Sequence, residues 1–531
     1  DGKETKIREI RVDPRPKGLV AAGGRVMIKV RDLSFRFQGS DRYALRGVNL
    51  DIAPGEFVVI TGPSGCGKST LALALGGYLF RQHAGEATGT VLVDGLDTRT
   101  AEIYDVAEVV GLVQQNPEAQ FCTLTVADEV AFGLENRCLP GEEIVRRMNW
   151  ALSIVGAQYL RDRSLATLSG GEKQKVAIAA MMAAKPQVLI FDEPTSNLDP
   201  PATAEVFKVI EHIRRKADIT VIVIEHKTGY LRPFNPRFLL MEEGRIVGEG
   251  APSVPPSPPD THQGAPGDSG ELGETVVSVR GLTFAYGDAP VLHDVTLDLK
   301  AGQFVAVMGD NGSGKTTLLR CLLGLLHPPA GQVTVLGRDP NHTPVSELAR
   351  QAGFVFQNPD HQLFADSVWA EATFALRNFD LLDTASEVRA TALLDQCGLL
   401  PYRDVHPYRL SYGEKRRLNL VSILSHNPRL VLLDEVLIGQ DPGNAAFIMN
   451  LLKAQTHQGS TVLSVTHDPE TTRRYADRVI FLNSGHVIVD APTRSAFAQL
   501  TEMGYDDYLP EPTSPRSGDL RRTVIPDLPT C

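Results

Sequence analysis

The sequence predicts an α/β protein built twice, each half a mostly parallel sheet with helices on its faces. Three observations carry that expectation. Chemically loaded residues recur in one order: Lys68 and Lys315 lie 247 residues apart, and His226 and His467 lie 241 apart. Gln115 and Gln357, Ser169 and Ser411, and Asp192 and Asp434 are each separated by 242, which marks two homologous halves. Short apolar runs alternate with helical stretches within each half. Several of those runs, such as "PQVLIFDEP" and "ITVIVIEHK", are apolar almost throughout, as strands buried on both faces must be.

The 531 residues exceed one ordinary domain. Composition is that of a globular protein, 42% hydrophobic and 22% charged. No apolar run approaches the roughly 18–20 residues of a spanning helix, so none is expected to cross a bilayer. A formal net charge of −11 argues against a broad grip on nucleic-acid phosphates. Six cysteines without paired spacing suggest neither a disulfide framework nor a zinc site, but a reducing setting. Residues 1–25 read as a loosely ordered arm with no signal-peptide core, followed by a first domain at 26–250. "APSVPPSPPDTHQGAPGDSGELGE", 251–274, reads as a Pro/Gly/Ser-rich linker able to reach roughly 70 Å. A second domain is expected at 275–500 and a mobile tail at 501–531.

Taken in chain order, each half opens with a strand, a glycine loop and a helix: "GEFVVITGPSGCGKSTLALAL" and "GQFVAVMGDNGSGKTTLLRCL". Both satisfy G-x-x-x-x-G-K-[ST], so backbone N–H groups and a helix N-terminus can wrap nucleotide phosphates. The expected contacts are Gly62, Pro63, Ser64, Gly65, Cys66, Gly67, Lys68, Ser69 and Thr70. In the second half they are Gly309, Asp310, Asn311, Gly312, Ser313, Gly314, Lys315, Thr316 and Thr317. Lys68 and Lys315 reach the β and γ phosphates, and the Ser69 and Thr316 hydroxyls ligate Mg²⁺. Cys66 allows two readings: a thiol activated near a helix N-terminus, or a small residue filling a tight loop.

Asp192-Glu193 and Asp434-Glu435 close apolar strands. The first acid of each pair can hold Mg²⁺, and the second can orient or deprotonate the attacking water. His226 and His467 follow further buried strands, close to the expected γ-phosphate. "LSGGEKQKVAIAAMM" and "LSYGEKRRLNLVSIL" each set Ser and a small turn before a helix, a second anion-binding helix start. If it lies far from its own phosphate loop, it faces the other half's nucleotide.

Over nearly the whole chain outside the ends and the linker, these motifs resemble the ATP-binding-cassette (ABC) family. The resemblance implies P-loop NTPase domains, each with a mainly parallel sheet core, an antiparallel β subdomain and a helical subdomain. It implies two ATPs sandwiched head-to-tail. Lys68, Ser69, Gln115, Asp192, Glu193 and His226 then pair with Ser411 and Gly413. Lys315, Thr316, Gln357, Asp434, Glu435 and His467 pair with Ser169, Gly170 and Gly171. Asp199 and Asp441 match the family's D-loop, and Phe37 and Tyr286 its adenine-stacking aromatic, with Phe35 and Phe284 one strand alternation away. Two departures stand out: Tyr412 replaces the first signature glycine, and "DEVLIGQDP" replaces the "DEPTSNLDP" of the first half.

Gln115 and Gln357 resemble the Q-loop glutamine, which touches Mg²⁺ and the attacking water. Both begin "QNP-acid-x-Q", followed by "V-x-x-[DE]" and a Phe-bearing helix. Pro117 and Pro359 turn the chain, Thr125 and Ser367 suit helix N-caps, and Asp128 stands as a capping-box acid. That wording resembles the ATPases of energy-coupling factor (ECF) transporters, prokaryotic importers of vitamins or transition-metal ions. The resemblance implies ATP and Mg²⁺, a transmembrane T protein, a substrate-binding S protein and a place on the cytoplasmic face of the membrane. A sugar or peptide importer ATPase is the nearest rival, and a ribosome-acting tandem cassette a more distant one.

Overall fold

The computed structural model describes residues 26–250 and 273–510. The expected arm, nearly all of the expected linker, and residues 511–531 lie outside the described residues. Each half holds a six-stranded sheet of one topology. Its spatial order in the first half is Arg245–Glu249, Arg237–Glu242, Phe57–Thr61, Thr220–Ile224, Val188–Asp192, Val110–Val113. The second half repeats it as His486–Pro492, Arg478–Asn483, Phe304–Gly309, Thr461–Val465, Leu430–Asp434, Ala352–Val355. Five strands are parallel and the outermost one is antiparallel.

The all-apolar runs lie where both sheet faces are covered. Val188, Leu189, Ile190 and Phe191 have no exposed surface, each contributing about 1.5–3 kcal/mol of burial. The strand before each phosphate loop has a strand ending in His on one side. One place further lies the strand ending in two acids. Parallel register therefore brings the loop, the acids and the histidine to the same carboxyl edge, where open α/β sheets bind ligands. Antiparallel sheets built around Ile28–Phe37 and Thr275–Tyr286 form a separate layer in each half.

The helical subdomain packs Val126–Glu135 and Gly141–Ile154 on Gly170–Ala183. The second half breaks the first of these helices into Val368–Ala372 and Phe374–Asn378. The break falls at Thr373, fully buried, whose hydroxyl donates back to the Trp369 carbonyl at 2.8 Å. That carbonyl still accepts from the Thr373 N–H at 3.1 Å, so the hydroxyl shares it with the helix's own ladder.

The tail expected from residue 501 needs correction. Helix Thr493–Glu502 runs through that boundary, and the turn Asp506–Tyr508 follows. Tyr508 is 1% exposed, its ring edge-on to Phe481 at 4.9 Å. One turn anchored by a single buried tyrosine is too short to produce a periodic apolar pattern.

His426 follows helix Tyr412–Leu424, buried edge-on against Phe379. Burial, aided by the nearby Arg389 charge, pushes its imidazole from 6.5 down to about 4. A depressed folded pKa means the stability is present above the unfolded value and is lost as pH falls from about 6.5 toward 4. That loss is worth up to about 3 kcal/mol. His426→Gln is expected to remove this part of the acid limb. Denaturant unfolding at pH 7 and pH 4.5 checks it, and an unchanged pH slope would refute it.

Candidate functional site

The backbone of both phosphate loops ends in helix starts free of any side-chain cap, Lys68–Leu75 after Gly67 and Lys315–Leu322 after Gly314. Their first N–H groups face outward for an anion. Lys68 Nζ donates to the carbonyls of Gly62 (2.9 Å) and Pro63 (3.0 Å). Lys315 Nζ does the same with Gly309 (2.9 Å) and Asp310 (2.6 Å). Ser69 Oγ donates to Asp192 at 3.0 Å, and Thr316 Oγ1 to Asp434 at 2.9 Å. Burial pushes both Asp192 and Asp434 up to about 6, helped by the neighbouring Glu and opposed by these hydroxyl bonds.

Glu193 and Glu435 adopt φ of +47° and +49°, the left-handed region that non-glycine residues occupy mainly under constraint. The constraint is visible: their backbone N–H groups donate to Ile224 and Val465 on the next strand. Glu193 meets His226 Nε2 at 3.1 Å and accepts from Gln115 Nε2 at 3.2 Å. Glu435 meets His467 Nε2 at 2.6 Å and accepts from Gln357 Nε2 at 2.8 Å. Burial raises the Glu435 carboxyl, but the His467 hydrogen bond and charge, with Lys315 and Lys227, outweigh it and hold it below its ordinary value. Acid, histidine and glutamine thus form one cluster in each half, a carboxylate with two hydrogen-bonding partners.

The Q-phrase follows from turn chemistry. Asn116 and Asn358 accept from the N–H of Glu118 and Asp360, capping the turns Pro117–Ala119 and Pro359–His361. The turn's acid then reaches the Ser-led helix of its own half. Glu118 pairs with Lys173, and Asp360 with Lys415 at 2.8 Å. Thr125 and Ser367 cap the next helices as expected. Asp128 differs, since its carboxylate accepts from the Thr125 hydroxyl at 2.6 Å rather than closing a capping box. The acid of "V-x-x-[DE]" is buried in both copies. Glu129 accepts from the N–H groups of Cys122 and Thr123, and Glu371 from those of Phe364 and Ala365. These backbone bonds hold a loop whose Leu124 and Phe364 stay exposed, beside the exposed Phe132 and Phe374.

Ser169 and Ser411 are N-caps with full capping boxes to Glu172 and Glu414, so both hydroxyls point along their own helix starts. A cavity of ≈ 1490 Å³ joins Lys68, Ser69, Thr70, Gln115 and Glu193 with Tyr412 and Gln357 of the other half. Gly170 also lines it, whereas Ser169, Gly171, Ser411, Gly413 and the second phosphate loop do not. The halves meet through two aspartates. Asp199 uses one oxygen to cap its own helix and the other to accept from Asn311 N–H at 2.9 Å. Asp441 caps its helix likewise and accepts from Ser64 N–H at 3.2 Å.

Strand alternation buries Phe35 and Phe284, and leaves Phe37 half-buried and Tyr286 exposed. Phe37 lines the cavity together with Tyr43, an aromatic the sequence did not single out. Cys66 is 6% exposed, and burial pushes its thiol up despite Lys68 nearby, so it fills the loop rather than presenting a thiolate. Lys227, beside His226, is fully engaged: it donates to the carbonyl of Thr195 at 2.9 Å. Its counterpart Asp468 caps helix Pro469–Tyr475 instead. The two departures in the second half are one feature, because a Cβ on Gly439 would stand 3.2 Å from the Tyr412 ring. The first half has Gly170 and Asn197 at these places.

The family described as ABC transporter matches residues 45–196 and 292–437. A Methanosarcina acetivorans protein named as an ABC transporter ATP-binding protein is 34% identical, covering 94% of this chain and 91% of its own. A Bacillus subtilis protein named as an HMP/thiamine import ATP-binding protein, YkoD, is 33% identical over 90% of this chain and 93% of its own. Among solved structures, cbiO1 of Clostridium perfringens, part of the ABC transporter complex cbiONQ, is 29% identical with a TM-score of 0.40, covering 44% of this chain and 94% of that one.

Proposed function

The chain belongs to the ABC transporter family as one of its ATP-binding proteins, and on that footing we propose that it energises an ECF-type importer of a vitamin or a transition-metal ion. Two ATP sites at the interface of its fused halves supply the work. The observation that carries the ECF reading is the doubled phrase after each Q-loop glutamine. In both halves it builds a capped turn and a glutamate-organised loop beside exposed apolar side chains. A surface of that kind suits helices of a transmembrane partner, and its presence twice suits one T protein held by both halves, with an S protein carrying substrate. A relative named for HMP/thiamine import supports the vitamin class. Among the described residues no helix is long and apolar enough to cross a membrane, so attachment at the cytoplasmic face runs through those partners.

In this reading Lys68 and Lys315 turn from the loop carbonyls to the phosphates, and Phe37, with Tyr286 in the second half, stacks on adenine. Ser169, Gly171, Ser411 and Gly413 close on the phosphates from the opposite half. Glu193 and Glu435 take the proton of the attacking water as the γ-phosphoryl group passes to it, leaving ADP and phosphate. His226 and His467 hold those carboxylates in position. Mg²⁺ fits the oxygen donors present: Ser69 with Asp192 and Thr316 with Asp434, approached by Gln115 and Gln357. No cluster of three or more His, Cys, Asp or Glu side chains suited to a metal occurs among the described residues. Such a sparse set matches an ion that keeps water and phosphate ligands and neutralises charge on the phosphates.

The test is purification of the tagged chain from mild-detergent extracts of its native membranes, with companions identified by mass spectrometry. One multi-span protein plus a small, very hydrophobic one is the expected result. A permease pair with an extracellular binder, or ribosomal proteins, would overturn the ECF reading.

A further inference from the structure

The two phosphate loops differ at their second residue, Pro63 in one and Asp310 in the other. The backbone roles are the same, since both carbonyls accept from the loop lysine and from the N–H three residues on. Proline fixes its own φ and carries no charge. Aspartate does neither, and it stands in a loop read as the cradle for a triphosphate, where its charge is out of place. Something else has to hold it.

That something comes from the far end of the chain. The Tyr508 hydroxyl donates to Asp310 Oδ1 at 2.6 Å. Tyr508 is itself immobilised, 1% exposed against Phe481 and Tyr505, and the Tyr505 hydroxyl accepts from Asn483 Nδ2 at 2.6 Å. Burial, the Asp310 bond and the charges of Asp310, Asp199 and Asp507 all raise its phenol, so the proton stays on the tyrosine. The turn Asp506–Tyr508 also packs against helix Pro200–Ala217 of the first half, the helix capped by Asp199. Asp199 in turn accepts from Asn311, the next residue of the same loop. Two consecutive loop residues are thus gripped from outside, one by the C-terminal turn and one by the opposite half. Among the described residues the first half has no counterpart to this turn.

We propose that Tyr508 is a positioning residue for the second ATP site alone, its hydroxyl holding the Asp310 carboxylate away from the phosphates as Pro63 stiffens the first loop by covalent means. The proposal rests on the reading of Gly309–Thr317 as a phosphate loop. Tyr508→Phe removes the hydroxyl and keeps the packed ring. Without it the carboxylate is free to turn toward the nucleotide, and ATP binds the second site less tightly.

The experiment is photolabelling of the full chain with an azido-adenine ATP analogue, with labelled peptides of each half mapped by mass spectrometry. In Tyr508→Phe the concentration for half-saturation of second-half label is expected to rise roughly three- to tenfold, the scale of one charge-assisted hydrogen bond. First-half label should keep its midpoint. In an Asp310→Ala background Tyr508→Phe should add nothing, because the pair acts as a unit. A shift of both halves alike would mean a merely structural tyrosine and would overturn the proposal, as would no shift in either or an additive double mutant. Absence of second-half label in the unaltered chain would instead overturn the phosphate-loop reading.

Discussion

Glu193→Gln and Glu435→Gln are each expected to lower phosphate release at the altered site by roughly 10²–10⁴-fold, the usual worth of a positioned general base. Glutamine matches glutamate in size and can still meet His226 or His467, so the cluster is not emptied. What it loses is the ability to accept a proton. The pull of His467 on Glu435, strong enough to offset burial, favours the ionised form that catalysis needs at neutral pH. ATP binding should survive in both variants, which separates loss of chemistry from loss of the site. Steady-state phosphate release, with nucleotide binding measured on the same preparation, checks it. Full turnover in either single variant would show that its site does not hydrolyse ATP. The asymmetry at Lys227 and Asp468 allows the two variants to differ in degree.

Gly309→Ala is expected to remove ATP binding at the second site and to lower its half's unfolding midpoint by roughly 5–10 °C, a loss of about 2–3 kcal/mol. Gly309 has φ of +138°, and a Cβ there would lie 1.9 Å from the Leu482 carbonyl oxygen on the neighbouring strand. Backbone on both sides leaves nothing flexible to yield, so the loop itself must move. Gly398, in the same half but outside the loop, is the control: its φ is +67°, but a Cβ there meets nothing within 4 Å, so Gly398→Ala carries only the left-handed penalty of about 1 kcal/mol. Thermal unfolding with and without ATP distinguishes them, because a ligand that binds only the folded state raises its midpoint. Equal effects from the two alanines would show that the contact with Leu482 is not what matters.

Much of this architecture was legible because its signals are local and repeated. Buried parallel strands announce themselves as unbroken apolar runs, and Lys68 and Lys315 stand at fixed distances from glycines that a tight loop requires. The acids and histidines were legible as strand ends, although their convergence on one carboxylate depends on parallel register between strands far apart in sequence. What escaped was long-range or conformational. Tyr508 belongs to a stretch rich in Asp, Pro and Gly, and its partner Asp310 lies 198 residues away. Glu129 and Glu371 entered only as the acid of a repeated wording, and nothing in it told that backbone N–H groups of the preceding loop draw them inward. The helix break at Thr373 is a local distortion that leaves no pattern in the sequence. The left-handed backbone of Glu193 and Glu435 leaves no trace in composition at all.

Duplicated segments within one gene are open to conversion, in which a tract of one copy overwrites the other. The Tyr412 ring lying over Gly439 limits which tracts leave a working product. The two positions are 27 residues apart. A tract that brought Asn from position 197 into position 439 while leaving Tyr412 in place would set a side chain against the ring, at a residue whose φ is +69°. A tract carrying position 439 is therefore expected to need position 412 with it, whereas one that replaces Tyr412 alone by the first half's glycine meets no such contact.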